Sequence, residues 1–485
     1  MSTKNRHTYI YVVFPFHLFY FCLDKYVFLA RENKYDDMNT NINFKSIAIA
    51  CLALTPFFGW AQEQQEQLSE QKDWTLQSCI DYALEQNINL QKSKILLEQS
   101  RINTKQAKAQ MFPSLSASTG HTVRNTPMPE DDSITKTSYT GNYGANASWI
   151  LFNGFRRKYN IEQQKLMEES QDANIANAQL DMKLSILTCY IQILYAKESI
   201  KVSKSSLETS KKQRDRGEEL LNAGSFSKSD LAQLEAQYSS DKYQLIVAEN
   251  NLEEKKLQLK QILELDIAED IDIPEIEIDE SEISQPLTSK EMIYATALSV
   301  NPTIKNSKLN MQIAELDTKK AKSAYYPTLS LNAGVSTGHN SLSDLDYGKQ
   351  IKYNFGESIG LTLSYSIFDN RERKSTLEKA RLNETLSNLE DKEVEKNLLK
   401  TIESAYLDAV AAQNSYIAAS ENLKAAESSY ELIDQKYNLG MKNPFELLSE
   451  KNSLLNTQVS KLQAKYMALL NLQILNLYQD LPVGF

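Results

Sequence analysis

The chain has 485 residues, 41% of them hydrophobic, and carries a net charge of −10. An acidic chain repels the phosphate backbone of nucleic acid, so nucleic acid is not expected as a partner. The sequence contains no phosphate-binding loop, metal-ligand cluster or dinucleotide motif. We therefore predict that the protein is not an enzyme and uses no cofactor or metal.

The first 61 residues have the features of a leader. A second methionine, Met38, is followed by Lys45, by an apolar run over 47–58 and by small residues that end at Ala61. This order is typical of a secretory signal peptide. We therefore predict that translation starts at Met38 and that the exported protein begins after Ala61.

Three cysteines bear on the state of the exported chain. The small residues before Cys51 would suit a lipid anchor, but the apolar run continues past it, which favours the signal peptide. After the leader, Cys189 falls where the helix pattern requires a small apolar residue. We predict that Cys79 and Cys189 are buried thiols rather than a disulfide.

The sequence contains an internal repeat that is much longer than the repeats of solenoid proteins. Matching residues lie 214 positions apart (Asn87 and Asn301, Pro113 and Pro327) or 216 positions apart (Phe152 and Phe368, Tyr190 and Tyr406, Gly224 and Gly440). We predict two equivalent halves, 62–265 and 289–485, joined by an acidic linker over 266–288.

Each half is predicted to contain the same elements in the same order. A helix that ends at a proline is followed by two strands, a long helix without Gly or Pro, a glycine turn and a last helix. The predicted helices span 76–111, 155–216 and 229–265 in the first half, and 290–325, 371–439 and 445–478 in the second. The two shorter helices together have about the length of the long one, so they can stack end to end beside it. We expect the linker to be solvated, with a cation site among its acids as the weaker alternative.

The long helix of the second half carries a heptad repeat, which we call the seam. Its positions are Leu398, Ile402, Ala405, Ala409, Ala412, Tyr416, Ala419, Leu423, Ala426, Tyr430, Ile433 and Tyr437. A strict heptad pattern predicts left-handed packing against a partner helix. The central alanines allow the partner backbone to approach closely.

The predicted strands alternate apolar and polar residues, as Leu361 and Thr362 do. A membrane β-barrel needs such strands, because its polar face lines water. After the leader, no stretch approaches the roughly 20 apolar residues of a transmembrane helix, so we expect the membrane part to be 113–152 and 327–368. Four strands cannot close a barrel, and open edges are not tolerated in lipid. Two, three or four copies would each supply enough strands.

Two kinds of stretch carry a family resemblance. One is the strand-to-helix sequence Leu151-Phe152-Asn153-Gly154-Phe155-Arg156-Arg157 with its weaker copy Ile367-Phe368-Asp369-Asn370-Arg371, and the other is the pair of glycine turns. With the duplicated order of elements, the chain resembles the TolC-like outer-membrane efflux proteins over 74–480. The resemblance implies a mainly α fold with membrane β: a long antiparallel coiled-coil α-barrel in the periplasm, and a trimeric 12-stranded β-barrel to which each chain contributes four strands.

The resemblance also implies partners and roles for particular residues. The homotrimer would lie in outer-membrane lipid and dock to a periplasmic adaptor, a membrane fusion protein, and to an inner-membrane pump. The turn residues that would contact the adaptor are Gly224, Ser225, Phe226, Gly440, Met441 and Lys442. The aromatic residues that would lie at the membrane interface are Trp149, Phe152, Tyr365 and Phe368.

Asp230 and Glu446 match the first acidic position of the family's periplasmic entrance, six residues after each turn glycine. The second position is not acidic here, because it holds Gln233 and Ser449. Each acid also lies three residues after a Ser or Asn that can cap a helix, so capping alone would explain it. The sequence supports both roles, a gate and a cap.

The resemblance implies a passive conduit that carries drugs, other solutes or secreted protein from the pump across the periplasm and the outer membrane. The alternative is a structural coiled-coil envelope protein without a transport pore. That alternative explains the helices, but it does not explain membrane-type strands at the same place in both halves.

Overall fold

The computed structural model describes residues 74–484, except 129–130, 277 and 279. The predicted leader, with Met38, Cys51 and Ala61, lies outside the described residues and stays a prediction. Within the described part of the chain, each half contains the predicted elements in the predicted order.

The first half contains α1 (Leu76–Gln86), α2 (Ile88–Ala109), β1 (Ser114–Met128), β2 (Asp131–Phe152), α3 (Arg156–Asn222) and α4 (Lys228–Leu263). The linker contains the short α5 (Glu280–Ile283). The second half contains α6 (Lys290–Val300), α7 (Pro302–Ser323), β3 (Thr328–Asn340), α8 (Tyr347–Tyr353), β4 (Gly356–Ser364), α9 (Glu372–Asn438) and α10 (Pro444–Tyr478). Helices α2 and α7 begin at matching positions of the repeat, Ile88 and Pro302, and so do α3 and α9, at Arg156 and Glu372. These matching starts confirm the repeat.

The long helices organise the packing of each half. Helix α3 has 67 residues and packs against α1, α2 and α4, whose lengths of 11, 22 and 36 residues together match it. Helix α9 packs in the same way against α6, α7 and α10, and both α7 and α10 also pack against α3. At about 1.5 Å per residue, each long helix extends over about 100 Å. In the part of the chain that the structure describes, no helix has both the length and the apolar character needed to cross a bilayer.

The prediction of one continuous first helix in each half is wrong, because an asparagine interrupts each of them. Asn87 and Asn301 have extended backbones, with ψ angles of 124° and 123°. The side-chain oxygen of Asn87 accepts a hydrogen bond from the N–H of Asn89, and that of Asn301 accepts one from Thr303, both at 2.9 Å. Each asparagine therefore caps the helix that follows it.

The acidic composition suggested a linker that is solvated along its whole length. The structure shows instead that parts of the linker are buried. Ile271 and Ile273 are fully buried in a core that combines the first half with Tyr466 of α10, and Ile283 lies in a second buried cluster with Tyr416 of α9. The described acids of this segment, Asp272, Glu275 and Glu280, stay at the surface, where Asp272 lies 2.6 Å from the ammonium group of Lys197. The linker packs against the helices because its isoleucines bury apolar area. Asp272 and Glu275 meanwhile form ion pairs with Lys197 and Lys201.

The seam is confirmed as the packing face of α9, since every seam position is buried or half-buried. The first part of the seam, from Leu398 to Ala409, packs with Ile293 of α6 and Leu475 of α10. The next two seam residues, Ala412 and Tyr416, pack with Ala468 of α10. Cys79 and Cys189 are both buried as thiols, as predicted.

Replacing Ala409 or Ala412 with Phe is expected to destabilise the protein. Both side chains are buried against a partner helix, where extra volume forces side chains or backbone to shift at a cost of about 1–3 kcal/mol per site. The free energy of unfolding measures this cost. Ala411→Phe is the matched control, because Ala411 is exposed on the same turn. Equal stability of all three variants would contradict the packing role of the seam.

The four strands form one antiparallel sheet in the order β1-β2-β3-β4. The pair β2 and β3 joins the two halves, from Thr140 opposite Asn340 to Phe152 opposite Leu329. Strands β1 and β4 are the edges of the sheet within one chain. The short α8 follows β3 and packs against it, and the Thr337 hydroxyl donates a hydrogen bond to the carbonyl of Ile351 at 2.6 Å.

Candidate functional site: the sheet, the helix junctions and the hairpin tips

The sheet has one apolar and one polar face, because residues opposite each other on paired strands share a face. The apolar face carries Leu115, Ala117, Ala145, Ala147, Trp149, Leu331, Ala333, Val335, Ile359, Leu361 and Leu363. The polar face carries Ser114, Ser116, Ser118, Asn142, Asn146, Ser148, Ser330, Asn332, Ser336, Ser358 and Thr362. Large apolar side chains stay exposed on the first face, and Leu361 is 66% exposed. Such a sheet fits a boundary between lipid and water.

The polar face forms a shallow recess lined by small and amide side chains, among them Ser118, Asn142, Asn146 and Ser336. Hydrogen bonds cross between its strands, and the Ser148 hydroxyl donates to the side-chain oxygen of Asn332 at 2.9 Å. Among the described residues, no three His, Cys, Asp or Glu side chains come together as a metal site would require. The recess therefore offers hydrogen bonds to water and polar solutes.

The predicted interface aromatics gather where the sheet meets the helices. The indole N–H of Trp149 donates to the carbonyl of Met111 at 2.8 Å. Phe152 packs edge to face with Tyr326, with ring centroids 6.5 Å apart. In the second half, Tyr365 is exposed and Phe368 is 81% exposed. These aromatic side chains lie at the end of the apolar face that adjoins the helices. Aromatic residues are enriched in the same way at the interface between membrane and water.

Each strand-to-helix junction turns through two successive residues with left-handed backbones. Gly154 and Phe155 have φ angles of 65° and 66°, and Asn370 and Arg371 have 49° and 71°. A Cβ atom on Gly154 would lie 2.5 Å from the carbonyl oxygen of Ser323, so only glycine fits there. The signature sequence is thus explained by a sharp turn from the sheet into the long helix.

The polar residue before each turn caps the long helix, a role that sequence reasoning missed. The side-chain oxygen of Asn153 accepts a hydrogen bond from the N–H of Arg157 at 3.4 Å, and that of Asp369 accepts one from Arg373 at 3.1 Å. The signal that could have revealed it is the match of Asn153 with Asp369 in the repeat, since both types favour helix starts.

The hairpin tips are built in the same way in both halves. Gly224 and Gly440 have φ angles of 74° and 76°. The residue after each glycine makes the hydrogen bond that ends the preceding helix. The N–H of Ser225 donates to the carbonyl of Leu220 at 3.0 Å, and the N–H of Met441 donates to the carbonyl of Lys436 at 2.8 Å. This is a Schellman helix end, which requires a left-handed residue. Met441 is exposed at its tip, whereas Phe226 is half-buried.

The two predicted gate acids differ in their surroundings. Glu446 forms a complete capping box, since the side chain of Asn443 accepts from the Glu446 N–H at 2.9 Å and Glu446 accepts from the Asn443 N–H at 3.2 Å. Lys442 also pairs with Glu446, and these donors lower the pKa of Glu446 below its ordinary value. At the other tip, Ser227 accepts from the Asp230 N–H at 3.0 Å. Among the described residues, no hydrogen bond or ion pair engages the Asp230 carboxylate.

A buried ion pair connects the helix pair α3–α4 with the helix pair α9–α10, and the sequence did not predict it. Lys451 of α10 pairs with Asp241 of α4, and both side chains are at most 5% exposed. Ser206 of α3 and Gln237 also donate to Asp241, at 3.2 and 2.8 Å. Burial lowers the pKa of Lys451, and the bond with Asp241 opposes that shift. One feature of the sequence could have indicated that Asp241 is buried, because it lies one heptad after Leu234, which is buried.

A two-faced sheet with open edges, held at one end of paired helices of about 100 Å, defines a subunit of an oligomeric membrane channel. The model of the family described as outer membrane efflux protein matches residues 79–264 and 293–478, which are the two halves. The chain belongs to the outer membrane efflux protein family. It is an outer-membrane channel protein that extends into the periplasm, as the sequence predicted.

Individual relatives are distant but similar over most of their length. The chain is 21% identical to the outer membrane efflux protein BepC of Brucella suis, over 87% of this chain and 88% of that protein. It is 22% identical to the outer membrane protein TolC of Escherichia coli over 62% of each chain. A crystal structure of CusC superposes with a TM-score of 0.73 at 18% identity, covering 84% of this chain and 92% of CusC. The fold is therefore that of a TolC-like channel.

Proposed function

We propose that the protein is the outer-membrane channel of a tripartite export system and acts as a passive conduit. The observation that carries the proposal is the two-faced sheet joined directly to helix pairs of about 100 Å. The sheet would cross the outer membrane, and the helices would extend the same tunnel through the periplasm. Export would be driven by the inner-membrane pump of that system.

We propose a trimer, because three chains supply twelve strands, enough to close a barrel around water. Closure removes the open edges of β1 and β4, which lipid does not tolerate. An inner-membrane pump and a periplasmic adaptor complete the proposed assembly. The cargo would be drugs, other solutes or secreted protein; relatives bear the names cation efflux system protein, pyoverdine export protein and toxin and drug export protein.

The tips are the proposed docking site for the adaptor. They lie at the end of the helices opposite the sheet, and Met441 and Phe445 are both 71% exposed there. Exposed apolar side chains at such a site fit a protein partner better than water. Within the predicted set Gly224, Ser225, Phe226, Gly440, Met441 and Lys442, the glycines shape the turn and Met441 is the side chain most available for contact.

The test of the conduit is ion flow through the purified protein in planar lipid bilayers. We expect a large water-filled conductance from an oligomer that dissociates only on heating. A structural coiled-coil envelope protein would be found in the same membrane fractions but would not conduct. Absence of conductance from a correctly folded oligomer would therefore favour that alternative.

The gate acids are proposed to act differently, because only Glu446 has its charge offset by a lysine. If carboxylates line the entrance, Asp230→Asn should reduce the cation preference of the channel more than Glu446→Gln does. If neither carboxylate lines the entrance, the Asp230→Asn, Glu446→Gln double variant should keep the wild-type selectivity, because the amide oxygen that Glu446→Gln leaves can still accept the Asn443 N–H. Single-channel reversal potentials in a salt gradient distinguish the two results.

A further inference from the structure

A basic recess, which we call the junction recess, lies on the polar face of the sheet where β1 and β2 meet the first long helix. It has a volume of about 580 Å³, and the polar-face residues Ser114 and Ser148 line its sheet side. Arg156 and Arg157 of α3 and Lys320 of α7 line its helix side. Among the described residues that line the recess, none is an aspartate or a glutamate. Positive charge is therefore gathered in one place on a chain whose net charge is −10.

Neutral acceptors hold the guanidinium group of Arg157 in place. It donates hydrogen bonds to the carbonyl of Gln110, at 2.9 Å, and to the carbonyl of Ile150. These contacts fix the group but do not offset its charge, because a carbonyl oxygen carries no net charge. A guanidinium group has five N–H donors. Arg157 therefore keeps both its charge and donors for a further acceptor.

Arg156 and Lys320 add two more positive charges to the junction recess. Arg156 is exposed, and within the described part of the chain no carboxylate forms an ion pair with it. The ammonium group of Lys320 donates to the side-chain oxygen of Gln163 at 2.6 Å and lies 3.3 Å from the carboxylate of Asp317. Asp317 thus offsets one of the three charges, and the two guanidinium charges remain without a counter-charge.

The second half of the chain balances the charges at its equivalent junction. Arg373 is the repeat equivalent of Arg157, and its guanidinium group forms an ion pair with Asp369 at 2.5 Å. In the first half, the residue that corresponds to Asp369 is the neutral Asn153. The residue that corresponds to Arg156 in the second half is an acid, Glu372. The same turn thus folds with balanced charges, so folding does not require the excess of positive charge found in the first half.

We infer that the junction recess binds the anionic group of a dissolved solute, a phosphate or a carboxylate. The planar fork of a guanidinium group matches two oxygens of either group. The start of α3, at Arg156, adds the partial positive charge of a helix N-terminus. The inference rests on the proposed channel, in which the polar face lines the lumen, and it adds a chemical class of cargo. In the proposed trimer, three such recesses would surround the lumen where the sheet joins the helices.

A phospholipid headgroup carries the same phosphate chemistry, so the face of the sheet on which the recess lies distinguishes the two sources. Ser148 and Ile150 of β2 line the recess. Trp149, between them, lies opposite Leu331 on the apolar face. Successive residues of a strand point to opposite faces, so the recess is on the side of the sheet away from lipid. This position favours a dissolved anion over a headgroup.

Binding of inorganic pyrophosphate to the purified full-length channel tests the inference. Isothermal titration calorimetry in detergent, at low salt so that exposed charges are not screened, should detect binding to the wild type. Arg156→Gln should raise the dissociation constant about tenfold, because it removes a charged hydrogen-bond donor. Arg156→Lys keeps the charge but loses the fork, so its affinity should lie between the two. Lys158→Gln is the matched control and should bind like the wild type, because Lys158 is exposed on the same turn of α3 but does not line the recess.

Two results would overturn the inference. One is equal affinity of the wild type and Arg156→Gln for pyrophosphate, or no binding to either. The other is unchanged pyrophosphate binding together with less co-purified phospholipid in Arg156→Gln, measured by a phosphorus assay, because the recess would then hold a headgroup.

The conductance measurement separates this inference from the proposed function. A channel that conducts but does not bind pyrophosphate at the recess leaves the function standing and rejects the inference. A protein that binds pyrophosphate through Arg156 but does not conduct keeps the anion site and rejects the conduit.

Discussion

Leu361→Arg is expected to prevent assembly in the outer membrane, whereas Thr362→Arg is expected to assemble. Leu361 lies on the exposed apolar face of β4, and Thr362 lies next to it on the polar face. An arginine on the lipid side near the middle of the bilayer costs about 2–4 kcal/mol, and every subunit would carry one. An arginine on the water side keeps its hydration and should leave assembly intact.

The measurement is the fraction of protein that migrates as a heat-sensitive oligomer in outer-membrane preparations. The two variants differ by one position and carry the same substituent, so general effects of a bulky cation cancel between them. Equal assembly of both would show that the apolar face of β4 does not meet lipid. Loss of assembly by Thr362→Arg alone would reverse the two faces.

Removing one partner of the buried ion pair should be the most damaging change in the helical part. Asp241→Leu leaves the Lys451 ammonium group buried with the carbonyl of Ser206, 3.1 Å away, as its acceptor. Lys451→Met leaves the Asp241 carboxylate buried without its counter-charge. Breaking a buried pair in this way costs about 3–5 kcal/mol. Chemical unfolding of each variant, compared with the wild type, measures the loss.

The double variant Asp241→Leu, Lys451→Met distinguishes two explanations of this loss. Either the ion pair itself stabilises the fold, or the loss comes only from leaving one buried charge unpaired. Replacement of both charges by apolar side chains is often neutral or stabilising, so we expect most of the lost stability to return. A double variant as unstable as the sum of the two single variants would mean that the charges act independently, contrary to the contact seen between α4 and α10.

The sequence by itself determined the repeat, the long helices, the seam and the alternation of the strands. These features depend on local periodicity, which is 3.5 or 3.6 residues in a packed helix and two in a strand, and any chain that folds must satisfy it. The turn glycines at 224 and 440 could be predicted for the same local reason, because a left-handed helix end favours glycine. The family resemblance followed from this order of elements.

Only the tertiary structure decided the features that depend on distant partners. Asp241 and Lys451 are 210 residues apart, so no local pattern links their charges. The linker docks because its isoleucines meet a core made by other segments, and its acidic composition concealed that. Asn87 ends a helix because its side chain competes for the backbone of the next turn. Asp230 and Glu446 differ in their surroundings because Lys442, which pairs with Glu446, has Phe226 as its repeat equivalent; the sequence contains that difference, but only the folded tip shows that Lys442 turns back to Glu446.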